Sequence, residues 1–213
     1  IAIYSFQGTK TITTGEGGML VMDNKELYDK CCAIRNHGDY YRDTNYVGYN
    51  LRMSELPAAI GRCQLRKVEG FLESFKKNAE IIFDLLPNSI LPPFVPGEVT
   101  HGCFILGCTW LGTTSAKNKF LDKLHKARLK MGCLWNEKTS DIPGANNPPG
   151  YMISAGYKKP LYKIPLYAKF ARSCPNTEQV IDKALWIDIH RWTEEGKIHK
   201  EMDIFNSVYK TVV

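Results

Sequence analysis

The chemistry of this sequence concentrates in Ser5-Phe6-Gln7-Gly8-Thr9-Lys10-Thr11-Ile12-Thr13-Thr14-Gly15-Glu16-Gly17-Gly18. Four glycines and four threonines fall in the twelve positions from Gln7, so the backbone here needs small residues. A lysine at the mouth of a strand, ringed by small polar groups, has three roles open to it. It can be a Schiff-base nucleophile, a phosphate-binding cation, or a surface lysine. The run is not a Walker loop, because G-x-x-x-x-G-K-[ST] is absent. Downstream, His37 stands before Gly38, and Asn50 stands two residues before Arg52. Arg52 can grip a phosphate or carboxylate bidentately or serve in an ordinary ion pair. His37 can act on a ligand or simply favour the negative end of a helix. Asn50 suits a turn as well as a ligand contact. His101 is a further candidate for substrate contact.

The elements that must position these groups follow from the local pattern. Ile1–Phe6 reads as a strand and Met19–Met22 as a second, so Lys10 lies on the connection between them. Asp23-Asn24-Lys25-Glu26 resembles a capping box. The helix it starts is expected to reach Arg35, with Gly38 past its end. A polar and aromatic loop follows, holding four tyrosines between Asp39 and Tyr49. Ser54 is a credible N-cap for a long helix that Pro87 stops, with a kink expected near Gly70. A Pro-rich linker from Leu91 to Gly97 leads to an apolar strand, Phe104–Leu111. A basic amphipathic helix then runs from Lys117 to Gly132, Ser140–Gly156 reads as a loop, and a last helix starts near Thr193. This order is mixed α/β with two unlike halves. We set the boundary between residues 1–88 and 89–213.

The bulk composition bounds the function. The chain has 213 residues and a formal charge of +6, mild enough to fit an anionic small molecule or a phosphate-bearing cofactor. Lys117–Lys130 holds six Lys/Arg against one Asp. Its apolar residues recur at helical spacing, which reads as a solvated helix face rather than a nucleic-acid stripe. No apolar run approaches the roughly 18 residues a membrane helix needs. Seven cysteines form no C-x-x-C and no zinc-like spacing, which points to reduced thiols and a cytoplasmic setting, with no metal site. The chain opens inside a strand, so it reads as part of something longer.

Three ordered segments resemble the DegT/DnrJ/EryC1/StrS aminotransferases. They are Ser5-Phe6…Lys10…Thr14-Gly15-Glu16-Gly17-Gly18, Arg35-Asn36-His37-Gly38, and Gly48-Tyr49-Asn50-Leu51-Arg52-Met53-Ser54-Glu55 with Ala58-Ala59-Ile60-Gly61 and Gln64-Leu65. Weaker echoes include Cys174-Pro175-Asn176-Thr177-Glu178 and Ala184-Leu185-Trp186-Ile187. The resemblance implies the C-terminal portion of a fold-type-I, aspartate-aminotransferase-like enzyme that uses pyridoxal 5'-phosphate. Residues 1–88 would then be the end of the cofactor domain plus a bridging helix, and 89–213 a small α/β domain. The family's phosphate loop, its ring-stacking residue and its pyridine-pairing Asp would precede the equivalent of Ile1.

Carried over residue by residue, the resemblance makes Lys10 the Schiff-base lysine and Ser5 a phosphate contact. Asn50 becomes a phosphate contact given to the neighbouring subunit's site, which implies a homodimer of the full-length form. Gln7, His37 and Arg52 are substrate-side candidates, although Gln7 stands where several relatives carry His. Glu16 fixes the loop through backbone hydrogen bonds. A lysine rather than a histidine at position 10 favours amino transfer over dehydration. The implied reaction moves an amino group from glutamate or glutamine to a nucleotide-linked keto sugar or a keto cyclitol. The alternative is a non-catalytic truncated module that packs with a partner chain but lacks a complete cofactor site.

Overall fold

The computed structural model describes residues 1–40, 43–44, 46–127, 153–154, 160–189 and 193–213. These form mixed α/β structure in two compact units, Ile1–Phe71 and Leu72–Val213.

In the first unit, β1 (Ala2–Ser5) pairs antiparallel with β2 (Gly18–Val21), with Ser5 opposite Gly18. The two expected strands therefore share one sheet. Their side chains remain exposed in this chain, Ile3 at 78% and Leu20 at 48%. Helix α1 spans Lys25–Arg35. Its N-cap is Asn24 rather than Asp23, because the Asn24 side chain accepts from Leu27 N. The segment read as a loop after it contains a short pair, β3 (Asp39–Tyr40) with β4 (Asp43–Thr44).

The expected long helix is two helices, α2 (Glu55–Leu65) and α3 (Val68–Leu85). Ser54 is the N-cap of α2, although its side chain makes no capping bond. The break lies at Arg66–Lys67, not at Gly70, and a tight turn closes it: Lys67 N donates to Gln64 O at 3.0 Å. The division between the two compact units falls inside α3. The physical reason is burial: Phe75, Ala79 and Ile82 belong to the C-terminal core.

That core is organised on an antiparallel sheet of order β5-β6-β8-β7. The strands are β5 (Ile90–Leu91), β6 (Ile105–Trp110), β7 (Ile153–Ser154) and β8 (Ala184–Asp188). β6 alternates inward Leu106, Cys108 and Trp110 with outward Gly107 and Thr109, the period expected of a strand with one covered face. Residues 153–154, read from sequence as loop, pair with β8 instead. Helices α4 (Thr114–Lys126), α5 (Pro175–Lys183) and α6 (Glu195–Tyr209) complete the unit. Phe120 of α4 stacks on Trp110 at 5.3 Å and meets Phe205 of α6 edge-on at 4.9 Å. The expected helix end at Gly132 and the thiol of Cys133 lie outside the described residues.

Lys117 departs from the reading of α4 as a solvated basic face. It is 2% exposed, and its ammonium donates to the carbonyls of Ile181 at 3.1 Å and Ala184 at 3.2 Å. Those carbonyls close the C-terminal end of α5, where a cation is favoured. Burial lowers the pKa of this amine, and Asp182 partly offsets the effect. Among the described residues no His/Cys/Asp/Glu group could hold a metal ion, and no helix is long and apolar enough to cross a membrane.

Two carboxyls, Glu201 buried and Asp188 half-buried, set a pH dependence. Burial pushes Glu201 up to about 7, with Lys197 pulling the other way, and pushes Asp188 up to about 6. Glu201 Oε2 is buried without a hydrogen-bond partner. A raised folded-state pKa means that the native state binds a proton the unfolded chain has already lost. Stability therefore falls as pH rises from about 4.5 towards about 7. Glu201→Gln should flatten that slope and add on the order of 1–3 kcal/mol near neutral pH. Urea melts at pH 5 and pH 7.5 check it, and an unchanged slope contradicts it.

Candidate functional site

The connection between β1 and β2 is held closed at its base. Phe6 N donates to Gly17 O at 2.8 Å, extending the strand pairing, and Thr14 N donates to Phe6 O at 3.0 Å. Hydroxyls then brace the loop from within. Thr13 Oγ1 donates to Phe6 O at 3.0 Å, Thr14 Oγ1 donates to Glu16 O at 2.7 Å, and Gly15 N donates to Thr13 Oγ1 at 2.9 Å. Glu16 thus contributes its carbonyl to the brace. This is why the segment is built of Thr and Gly: short hydroxyls satisfy backbone groups that no sheet or helix partner reaches.

Lys10 sits at the far side of this loop and is exposed. A local turn fixes its backbone, with Lys10 N donating to Gln7 O at 2.9 Å. Gln7 is a structural organiser of that turn, since its Oε1 accepts from Thr9 N at 2.9 Å and Thr9 Oγ1 at 2.7 Å. Ser5 Oγ lies 3.4 Å from Gln7 N. Ser5, Gln7 and Lys10 therefore form one contiguous group.

The second group is built on the end of α1. Its last carbonyls have no helical partner, and an incoming strand-like segment satisfies them. Tyr49 N donates to Ile34 O at 2.8 Å, Leu51 N donates to Arg35 O at 2.9 Å, and His37 N donates to Tyr49 O at 2.9 Å. Gly38 N returns to Ala33 O at 2.8 Å, the long-range bond of a Schellman termination. Asn50 is thereby bridged to Asn36. Arg52 Nε donates to Asn50 Oδ1 at 2.9 Å, and its Nη2 lies 3.4 Å from His37 Nε2. The structure thus joins Asn50, Arg52 and His37 side by side. His101 is used locally, its Nδ1 accepting from Cys103 N at 2.9 Å.

Residues not singled out from sequence also shape the first unit. Thr14 is buried, and a Cβ at Gly61 would lie 3.0 Å from its Cγ2. The glycine lets α2 approach the lysine loop. A Cβ at Gly17 would meet Met53 Cε at 2.7 Å, so the segment carrying Arg52 also reaches that loop. The small residues in Ala58-Ala59-Ile60-Gly61 were the available signal.

The donor set fits a phosphate-bearing aldehyde. Lys10 brings a primary amine and Ser5 a hydroxyl. Asn50 commits its oxygen to Arg52 and so offers the donor end of its amide, and Arg52 adds a guanidinium. All four residues are exposed, and all four chemistries suit a carbonyl carbon or an anionic oxygen.

Gly38 has φ 81, and a Cβ there would run into the Tyr46 carbonyl. Gly38→Ala should therefore cost at least about 1–2 kcal/mol and loosen the register of residues 49–52. Denaturant melts with amide exchange at Tyr49 and Leu51 test this; wild-type protection of both amides contradicts it.

Comparison with known proteins extends the picture. The pattern of the DegT/DnrJ/EryC1/StrS aminotransferase family matches residues 1–205. GDP-perosamine synthase of Escherichia coli O157:H7 is 43% identical over 86 residues, covering 38% of this chain and 23% of that protein. The UDP-4-amino-4,6-dideoxy-N-acetyl-beta-L-altrosamine transaminase of Campylobacter jejuni is 42% identical over 78 residues, covering 34% of this chain and 21% of that protein. Among solved structures, Helicobacter pylori PseC, an aminotransferase involved in pseudoaminic acid biosynthesis, superposes with a TM-score of 0.72 at 20% identity. That match covers 98% of this chain and 53% of PseC. A sugar aminotransferase of Streptococcus pneumoniae, solved in PMP and PLP forms, gives 0.76 and 0.75. Its PMP form is 19% identical, over 99% of this chain and 51% of that one. The chain spans about half the length of the solved structures it matches.

Proposed function

The chain belongs to the DegT/DnrJ/EryC1/StrS aminotransferase family, a fold-type-I family dependent on pyridoxal phosphate, and from that premise we propose that the protein carrying it is a sugar transaminase. The amino group would pass from glutamate or glutamine to a nucleotide-linked keto sugar or a keto cyclitol. One observation supports this most: Lys10, the family's lysine position, is exposed on a loop closed at its base by strand pairing and braced by threonines. The relatives, a synthase and a transaminase, lend no support to a non-catalytic module.

Bound pyridoxal phosphate supplies an aldehyde and an electron sink. Lys10 would hold it covalently, and once displaced by the substrate amine its Nζ would carry the proton between the substrate carbon and the cofactor. Ser5 Oγ donates to the phosphate. Asn50 gives its amide donors to the phosphate in the neighbouring subunit's site, so the working form is a homodimer in which each subunit gives what it receives. Arg52 receives an anionic group of the substrate, with Gln7 and His37 on the same side. Residues 1–88 serve as the end of the cofactor domain plus the bridging helix, and 89–213 as the small domain. A cytoplasmic site of action suits reduced thiols and a nucleotide-linked substrate.

Lys10→Ala in the full-length protein should remove the absorbance of covalently held cofactor and lower kcat at least about 100-fold. Lys10→Arg should do the same, because charge alone does not serve. Spectra and steady-state kinetics with glutamate and glutamine test this; near-normal turnover by Lys10→Ala contradicts it.

A further inference from the structure

His37 occupies a backbone conformation that glycine adopts more easily. Its φ is 62, in the left-handed region, where a Cβ meets the following carbonyl. It follows the C-cap Asn36, at the helix-terminating position that glycine usually fills. Backbone hydrogen bonding does not explain the histidine, since His37 N would donate to Tyr49 O equally well from glycine. A strained residue kept against an easier alternative points to its side chain.

That side chain meets Arg52. Nη2 of Arg52 lies 3.4 Å from His37 Nε2, while Nε of Arg52 donates to Asn50 Oδ1 at 2.9 Å. Two nitrogens of one planar guanidinium are thus referenced to two acceptors that the end of α1 holds in place. Nε2 accepts only when the imidazole is neutral with its proton on Nδ1. The Nη1 donors are not committed by either contact. An exposed arginine on its flexible stem loses rotamer freedom when it binds a ligand, and prior orientation removes that penalty.

We propose that His37 is a positioning residue, whose imidazole holds the Arg52 guanidinium ready for an anionic oxygen of the substrate, of phosphate or pyrophosphate type. This rests on the reading of Arg52 as an anion contact and refines the place given to His37, which acts through Arg52 rather than on the substrate. It also accounts for the strain: glycine would end the helix as well but would leave Arg52 unguided.

Three variants of the full-length, cofactor-saturated protein test it, with isothermal titration by inorganic pyrophosphate and thermal melting as readouts. His37→Gly relieves the backbone and should melt at the wild-type temperature or above, yet bind pyrophosphate about 3- to 10-fold more weakly. His37→Gln, whose amide oxygen can accept in place of Nε2, should keep the affinity within about twofold. Arg52→Ala should weaken binding more than His37→Gly does. The inference is overturned if His37→Gly binds like wild type while Arg52→Ala does not. It is equally overturned if His37→Gln fails as badly as His37→Gly, or if His37→Gly melts well below wild type. If Arg52→Ala itself binds like wild type, the anion-contact reading has failed and the inference falls with it.

Discussion

The candidate site depends on the closure of one loop. Residues 7–16 leave a strand and must return beside it, and the pairing of Ser5 with Gly18 and of Phe6 N with Gly17 O forces them to do so. Without that clamp a segment this rich in glycine and threonine would be too free to hold a lysine in one place. The threonine hydroxyls finish the constraint by taking the backbone groups of the loop as partners. Gly61 lets α2 lean on Thr14, and Gly17 leaves room for Met53. The end of α1 fixes the second half of the site by the same logic. Its unpaired carbonyls recruit the main chain of Tyr49 and Leu51, and Asn50 and Arg52 are placed as a consequence.

Much of this was legible in the sequence. The lysine loop stood out by its small residues, but composition left three roles open for Lys10, and the family resemblance chose among them. The α1 boundaries were readable from the polar cluster at 23–26, but the choice of Asn24 over Asp23 as cap is a matter of a single register. Other features were hidden for physical reasons. No proline or glycine stands at Arg66–Lys67, so no helix breaker marks where one helix ends and the next begins. Contact between His37 and Arg52 joins positions fifteen apart across a helix terminus and a strand-like segment, which no local period encodes. Lys117 looked like one more solvated cation. Its burial depends on carbonyls of Ile181 and Ala184, more than sixty residues away.

The two units differ in how they satisfy the hydrophobic effect. Leu72–Val213 carries a continuous core in which Trp110, Phe120 and Phe205 interlock. Among the described residues of Ile1–Phe71, Ala33 is the one fully buried apolar side chain, while Ile3, Tyr4, Met19, Leu20 and Val21 stay exposed. The unit that holds the candidate site carries many hydrogen bonds in its loops and at the end of α1. Family membership gives a setting for such an arrangement: the matched structures are about twice as long.

The central claim is that Lys10 holds the cofactor. It is tested most directly by reducing the full-length, pyridoxal-phosphate-loaded protein with borohydride and mapping the labelled peptide by mass spectrometry. The account predicts one phosphopyridoxyl group per chain, on Lys10, in the tryptic peptide that spans the Gly/Thr-rich loop. A label on a different lysine, or none on a protein that still carries out transamination, would contradict it.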